Sequence, residues 1–283
     1  MLRLSTLAAL ALGLLAAPAS AQWTEEVTLQ NAAFEDAGVP SAVVHAGPAF
    51  DASRPLRLVV FVHGWRGCAR QLAASGPVRC RRRAVEGWGL ADRFDEGRSD
   101  ALFVVPQLAF MTRDGSAGRF AEPGRFRAFV EELLGALEAR LGERASLSRV
   151  ESIALMAHSA GYETTLAILD RGGVDRLVRT VVLFDALYRG HPRFARWVLG
   201  DATRRLISIH AAQGRTASQS RLLAMALREP LGDAMSVDEE GAVADLVRAH
   251  RVVIAPAGAP HGDVPAHHLP ELLRVLLPAR GQP

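Results

Sequence analysis

The 283-residue chain contains no lysine; all 33 of its basic residues are arginine. That absence excludes Schiff-base catalysis, a serine–lysine dyad and a phosphate-binding loop built on lysine. Cysteine is scarce as well, at two. Cys68 and Cys80 form no C-x-x-C pair, which speaks against a metal or redox centre. His261, Asp263, His267 and His268 follow no H-x-H or H-E-x-x-H spacing, so no metal and no cofactor is expected. The net charge is only +3, too small a surplus to suggest a nucleic-acid partner. The densest basic run, Arg79, Arg81, Arg82 and Arg83, has no aromatic residues interleaved with it. It is expected to be a solvated loop face, with contact to an anionic cell-envelope surface as the alternative. No apolar stretch beyond residue 22 approaches the ~18 residues of a membrane span, and no repeat period is visible.

What is present at the amino terminus is a leader. Arg3 supplies the positive start, residues 7–17 an apolar run, and Ala19-Ser20-Ala21 a small-residue cleavage pattern. These features predict a signal peptide over 1–21 and one domain over 22–283. The apolar run is short for a membrane anchor. A periplasmic or secreted protein is therefore expected, and in that setting two cysteines predict a Cys68–Cys80 disulfide.

The rest of the chain alternates between two patterns. "LRLVVFV" (56–62), "ALFVVPQ" (101–107), "ESIALMA" (151–157), "RTVVLFDA", "RLISIHAA" and "HRVVIAPAG" are short apolar runs, as in strands buried on both faces of a parallel sheet. Between them, 126–142 and "AGYETTLAILDRGG" carry apolar residues at helical spacing. A last helix is expected to start at His267 and His268, with Pro270 in its first turn. Residues 42–45 read as an early strand. Strands and helices alternating in this way predict an α/β fold with a central, mainly parallel sheet. In such sheets functional residues gather just beyond the carboxyl ends of the strands.

Three positions meet that condition. Ser159 in "LMAHSAGYE" follows one strand and precedes a helix, with small residues, Ala157 and Gly161, two positions to either side. A tight strand–serine–helix elbow needs that small size, because backbone atoms crowd the turn; a helix-capping serine is the alternative. His63-Gly64-Trp65 follows an earlier strand, where the Trp65 N–H, with that of Ala160, could hold a developing oxyanion. His63 is expected to orient this loop rather than to move protons. His261 follows the final strand on a Gly/Pro loop, where a general base could reach across the sheet.

"LRLVVFVHGW", "LMAHSAGYE" and "PHGDV" together resemble the α/β-hydrolase superfamily over about residues 56–277, with alanine in place of the first glycine of G-x-S-x-G. The resemblance implies Ser159 as nucleophile and His261 as base, with an acid between them in chain order. The position most members use follows "RLISIHAAQGRT", where no carboxylate stands close. Asp185, at the end of "VVLFDALY", is the expected acid; Asp263 is a weaker candidate, and Asp201 lies at the wrong end of the sheet. His158 is expected to pack beside the nucleophile.

The span after Asp185 has room for one short helix presenting Tyr188, Phe194 and Trp197, hence a small cap over an open site. Tyr162 and Tyr188 are candidate pocket residues, with Trp65 beside them and Phe184 equally suited to the core. The expected activity is hydrolysis of an ester, or an amide, through an acyl-enzyme, on a small-molecule or short peptide substrate. The alternatives are a peptidase acting on cell-wall or scavenged peptides and a non-catalytic binding protein on the same fold. No sequence feature specifies an oligomeric state.

Overall fold

The computed structural model describes residues 22–35, 38–109, 116–142 and 145–281; the leader expected over 1–21 lies outside the described residues. In chain order the elements are β1 (Trp23–Val27), β2 (Ala42–Ala46), β3 (Leu56–Val62), α1 (Ala69–Ala73), β4 (Val78–Cys80), β5 (Arg83–Val85), α2 (Leu90–Glu96), β6 (Leu102–Pro106), α3 (Arg125–Ala136), α4 (Glu138–Leu141), β7 (Val150–His158), α5 (Tyr162–Arg171), β8 (Val178–Phe184), α6 (His191–Leu199), β9 (Arg205–His210), α7 (Arg215–Leu231), β10 (Met235–Val237), α8 (Val243–Ala249), β11 (Val252–Pro256) and α9 (Val264–Leu276). Nine strands form one sheet in the order β1-β2-β6-β3-β7-β8-β9-β11-β10. β2 is antiparallel to both its neighbours, and every other pair is parallel.

The apolar runs are unbroken because both faces of the sheet are covered. On β3, Leu58, Val60 and Val62 enter the core on one face, while Val59 and Phe61 enter it on the other. β7 repeats the alternation, with Ile153, Leu155 and Ala157 on the first face and Ala154 and Met156 on the second. Helices α3, α5, α6 and α7 pack on the first face, and α1, α2, α8 and α9 on the second.

Several elements depart from the sequence expectation. The helix expected over 126–142 breaks at Leu137 (φ −97°, ψ 12°) and resumes as α4; Gly135, a poor helix former, stands just before the break. Helix α9 starts at Val264, with Pro265 in its first turn, so Pro270 lies inside the helix. Its missing N–H forfeits one backbone bond, and the buried stripe Val264, His268, Leu269, Leu272 and Leu273 holds the helix in place. The span after β8 forms the single helix α6, of nine residues. Its Phe194 and Trp197, expected to face the site, are instead buried in the core, because the apolar side of this short helix lies against the sheet. Residues 212–249 contain the 17-residue α7, β10 and α8.

Cys68 and Cys80 form a disulfide with Cα atoms 6.1 Å apart. It ties the residue before α1 to the β4–β5 hairpin, and so fixes the hairpin to the segment that follows β3. Among the described residues no helix is long and apolar enough to cross a membrane.

Candidate active site

β3 and β7 are neighbours in register, with Val62 opposite Ala157. The segments that leave them, 63–67 and 159–161, therefore emerge side by side. Ser159 has φ +55°, a left-handed backbone that costs a non-glycine residue roughly 1 kcal/mol or more. It opens a short 3-10 turn, Ser159–Gly161, and α5 follows from Tyr162 rather than from Ala160. A Cβ on Gly161 would stand 2.3 Å from the Val62 carbonyl oxygen, and one on Gly64 would stand 2.6 Å from the Ser159 Cβ. Both glycines are required by close approach, not by backbone angle at Gly161. Ala157 is fully buried under the turn.

His63 and Gln107 fix the segment after β3. The Leu108 N–H donates to His63 Nε2 at 3.0 Å, so the ring proton lies on Nδ1, which donates to the Gly64 carbonyl at 2.9 Å. Complete burial holds the His63 pKa down to about 4, so the ring is neutral and serves as a brace. Gln107 accepts from the Ala69 N–H at 3.0 Å and donates to the Leu108 carbonyl at 2.7 Å. Trp65 is 45% exposed, with the Arg66 guanidinium 4.3 Å from its ring centroid.

Asp185 sits immediately beyond β8 with φ +44° and 3% exposure. Its carboxylate accepts from the Ala211 N–H at 2.9 Å, from the Thr216 hydroxyl at 2.5 Å and from His261 Nδ1 at 2.6 Å. Burial opposes its charge, but the bonds from His261, Thr216 and Ala211 prevail and hold the pKa at about 2. The His261 ring is 43% exposed, with Nδ1 engaged by Asp185. His158 Nε2 donates to the His261 backbone carbonyl at 2.9 Å, and the two rings lie 4.6 Å apart. Burial above all, then the His261 charge, lowers the His158 pKa to about 4. His158 is thus a neutral clamp on the loop that carries His261.

The other candidates fall elsewhere. Asp263 occupies the N-cap position of α9, and Asp201 binds Thr203 and Arg179 before β9. His268 bonds the Ala257 carbonyl and Glu271. Among the described residues no group of three or more potential ligands could hold a metal ion. Phe184 is a core residue. The Tyr188 hydroxyl lies close to the Ser159 side chain, and its ring lies 6.1 Å from that of Tyr162. Thr216 and Gln107 were not singled out in the sequence. Each acts on a partner tens of residues away, and neither carries a local signature.

The sheet order, with β2 alone reversed and with Ser159, Asp185 and His261 following β7, β8 and β11, defines the α/β-hydrolase fold. No family model and no curated protein matches the chain. Among solved structures it is similar to a mutant of the feruloyl esterase module from Clostridium thermocellum complexed with sinapinate. The TM-score is 0.54 at 12% identity, covering 92% of this chain and 89% of that one. It is also similar to a structure of FAE, with TM-score 0.55 and 12% identity over 94% of this chain and 92% of that one.

Proposed function

We propose that this protein hydrolyses carboxylic esters through an acyl-enzyme. The observation that carries the reading is the 2.6 Å bond from the half-exposed His261 ring to the buried Asp185 carboxylate, on the sheet edge where the left-handed Ser159 stands. Asp185 keeps the ring proton on Nδ1, which leaves the Nε2 lone pair free to accept a proton. On substrate binding the Ser159 hydroxyl turns toward His261. Its oxygen attacks the ester carbonyl carbon as His261 Nε2 takes the proton. The Trp65 and Ala160 N–H groups receive the oxyanion. The protonated His261 then gives its proton to the leaving alkoxide as the ester C–O bond breaks. Water, deprotonated by His261, attacks the acyl-enzyme, and the acid and Ser159 are released. Tyr162 and Tyr188 supply aromatic faces to the acyl group. The likeness to a feruloyl esterase fold makes hydroxycinnamate esters a suitable first substrate set. The disulfide and the leader fit export to an oxidising compartment.

The test compares wild type with Ser159→Ala on 4-nitrophenyl acetate and methyl hydroxycinnamates, with fluorophosphonate labelling alongside. Ser159→Ala is expected to lose both labelling and turnover, by roughly 10³-fold or more, with an unchanged melting transition. Ester turnover that survives this substitution would refute the proposal. Turnover of peptide amides by wild type without ester turnover would favour a peptidase.

A further inference from the structure

We propose that this site selects esters bearing an anionic group, bound by the guanidinium groups of Arg189 and Arg215 with Arg66 beside the Trp65 amide. The inference rests on the ester-hydrolase reading above. Each of the three arginines is the chain neighbour of a residue that builds the site. Arg189 follows Tyr188, whose ring lies 6.1 Å from that of Tyr162, next to the turn that carries Ser159. Arg215 precedes Thr216, whose hydroxyl bonds Asp185. Arg66 follows Trp65, and its backbone is left-handed, φ +60°, with the guanidinium laid over the Trp65 ring.

All three arginines are exposed, and none has a carboxylate partner among the described residues. Most arginines elsewhere in the molecule are engaged, as Arg193 is by Asp170 and Arg70 by Glu26. The segments that carry Arg189 and Arg215 meet where His191 Nδ1 and Gln219 Oε1 hydrogen-bond at 2.9 Å, two residues from Arg189 and one helical turn from Arg215. Both arginines lie near enough to the Tyr162 hydroxyl to favour its ionised form, although burial and Glu163 prevail and push it up to about 12. The Tyr162 ring is itself tilted against that of Tyr188. Glu163 is present there, bonded to the Tyr162 hydroxyl at 2.8 Å. Against the carboxylates of Glu163 and Asp185, the guanidinium groups of Arg189, Arg215 and Arg66 leave a surplus of one positive charge around the site.

A second feature extends the same field. The β4–β5 hairpin exposes Arg79, Arg82 and Arg83, and it is fixed to the site at both ends. The disulfide holds it to Cys68, three residues after Trp65. Beyond its second strand, Trp88 packs edge-on against His158 at 5.4 Å. Guanidinium groups pair with carboxylate and phosphate in fork geometry, and a cleft of one sign raises the local concentration of oppositely charged substrate.

The experiment compares mono(4-nitrophenyl) adipate, which carries a free carboxylate, with its neutral methyl ester. A third probe, 4-nitrophenyl 5-phosphonopentanoate, distinguishes carboxylate from phosphate-like recognition. At low salt, wild-type kcat/KM is expected to favour an anionic probe by about tenfold. In 0.5 M NaCl the preference should fall several-fold by screening. In the Arg189→Gln/Arg215→Gln double variant the ratio should approach one, with a melting curve confirming the fold. The anion giving the larger ratio names the chemistry. A wild-type ratio near one at low salt overturns this inference and leaves ester hydrolysis standing. Failure to hydrolyse any of the three probes overturns the hydrolytic reading and the inference together.

Discussion

Asp100 and Asp185 lie at opposite ends of the same sheet, and both are buried. Asp100 precedes β6 at the amino edge and is ringed by fixed cations. It pairs with Arg57, and it accepts from Arg280 through the backbone N–H at 3.1 Å and Nε at 3.0 Å. Arg57 also donates to the Pro278 carbonyl at 2.6 Å, and burial, with Arg280 nearby, lowers its pKa to about 10. The cluster pins the segment after α9 to the base of the sheet. Asp185 accepts from two neutral donors and from one half-exposed imidazole. A carboxylate between two permanent cations is an anchor. The same group facing a ring that can gain and lose a proton is poised to stabilise that change.

Replacing each carboxylate by its amide should separate the two roles. Asp185→Asn keeps an acceptor for Ala211 and Thr216 but turns an N–H toward His261 Nδ1, which forces the ring proton onto Nε2. The proposed base then faces Ser159 with a proton already in place, and kcat/KM should fall roughly 10³- to 10⁴-fold. Asp100→Asn leaves Arg57 and Arg280 without their counter-charge. It should cost about 3 kcal/mol or more, lowering Tm by roughly 6–12 °C, with turnover per folded molecule unchanged. Thermal melts and initial rates on both variants decide it. Equal rate losses in the two would erase the contrast.

The acid limb of stability sharpens the same comparison. The folded pKa of Asp185 is held at about 2, below the ordinary 3.8. A depressed carboxylate stabilises the fold in full above its unfolded pKa and loses that contribution as pH falls through the folded value. Wild type should therefore exceed Asp185→Asn by about 2 kcal/mol near neutrality, the gap closing between pH 4 and pH 2. Urea titrations at pH 6, 4 and 2 read it directly. A gap independent of pH would mean that the ionised carboxylate is not favoured in the folded state.

Gly64→Ala probes the carboxyl edge without touching a charge. The added Cβ would meet the Ser159 Cβ at 2.6 Å and the His158 carbonyl oxygen at 3.0 Å. Both belong to the crowded turn after β7, so the segment bearing Trp65 has to shift. If the Trp65 amide is the oxyanion donor proposed above, its displacement should lower kcat by about 10²-fold. Stability should fall by no more than about 2 kcal/mol, because the clash lies at the end of the strands. A wild-type rate in this variant would show that the Trp65 amide is not part of the site.

How far these features could be read in advance depended on range. The bounds of β3 were legible because an apolar run buried on both faces ends abruptly at His63-Gly64. The turn at Ser159 was legible because Ala157 and Gly161 are local demands of a crowded backbone. The placement of Asp185 beside His261 required knowing that β8 and β11 lie close across β9, for which chain order gave only a guide. Thr216, Gln107 and the hold of His158 on the His261 carbonyl were illegible. Each is a bond across 31 to 103 residues with no spacing rule behind it. α7 has no legible apolar stripe, because half of its buried residues are Thr216, Ala217 and Ser220, and Leu223, Ala224 and Leu227 follow only in its second half. Pro270 misled because a proline within a helix is tolerated when its neighbours are buried deeply enough.

The smallest effect belongs to Tyr188. Burial, and then the nearby Asp185 charge, raise its pKa, so the hydroxyl stays protonated at neutral pH and can donate to the Ser159 oxygen. A donor on the attacking oxygen lowers its nucleophilicity, yet it also fixes the side chain and reaches the space where negative charge develops. The second effect is expected to prevail, because the hydroxyl sits in a desolvated position where a neutral hydrogen bond is worth about 1 kcal/mol. Tyr188→Phe should then lower kcat by roughly five-fold, with KM nearly constant and stability within ~0.5 kcal/mol. A rise in kcat would reverse the assignment and make Tyr188 a resting-state latch that holds Ser159 away from His261.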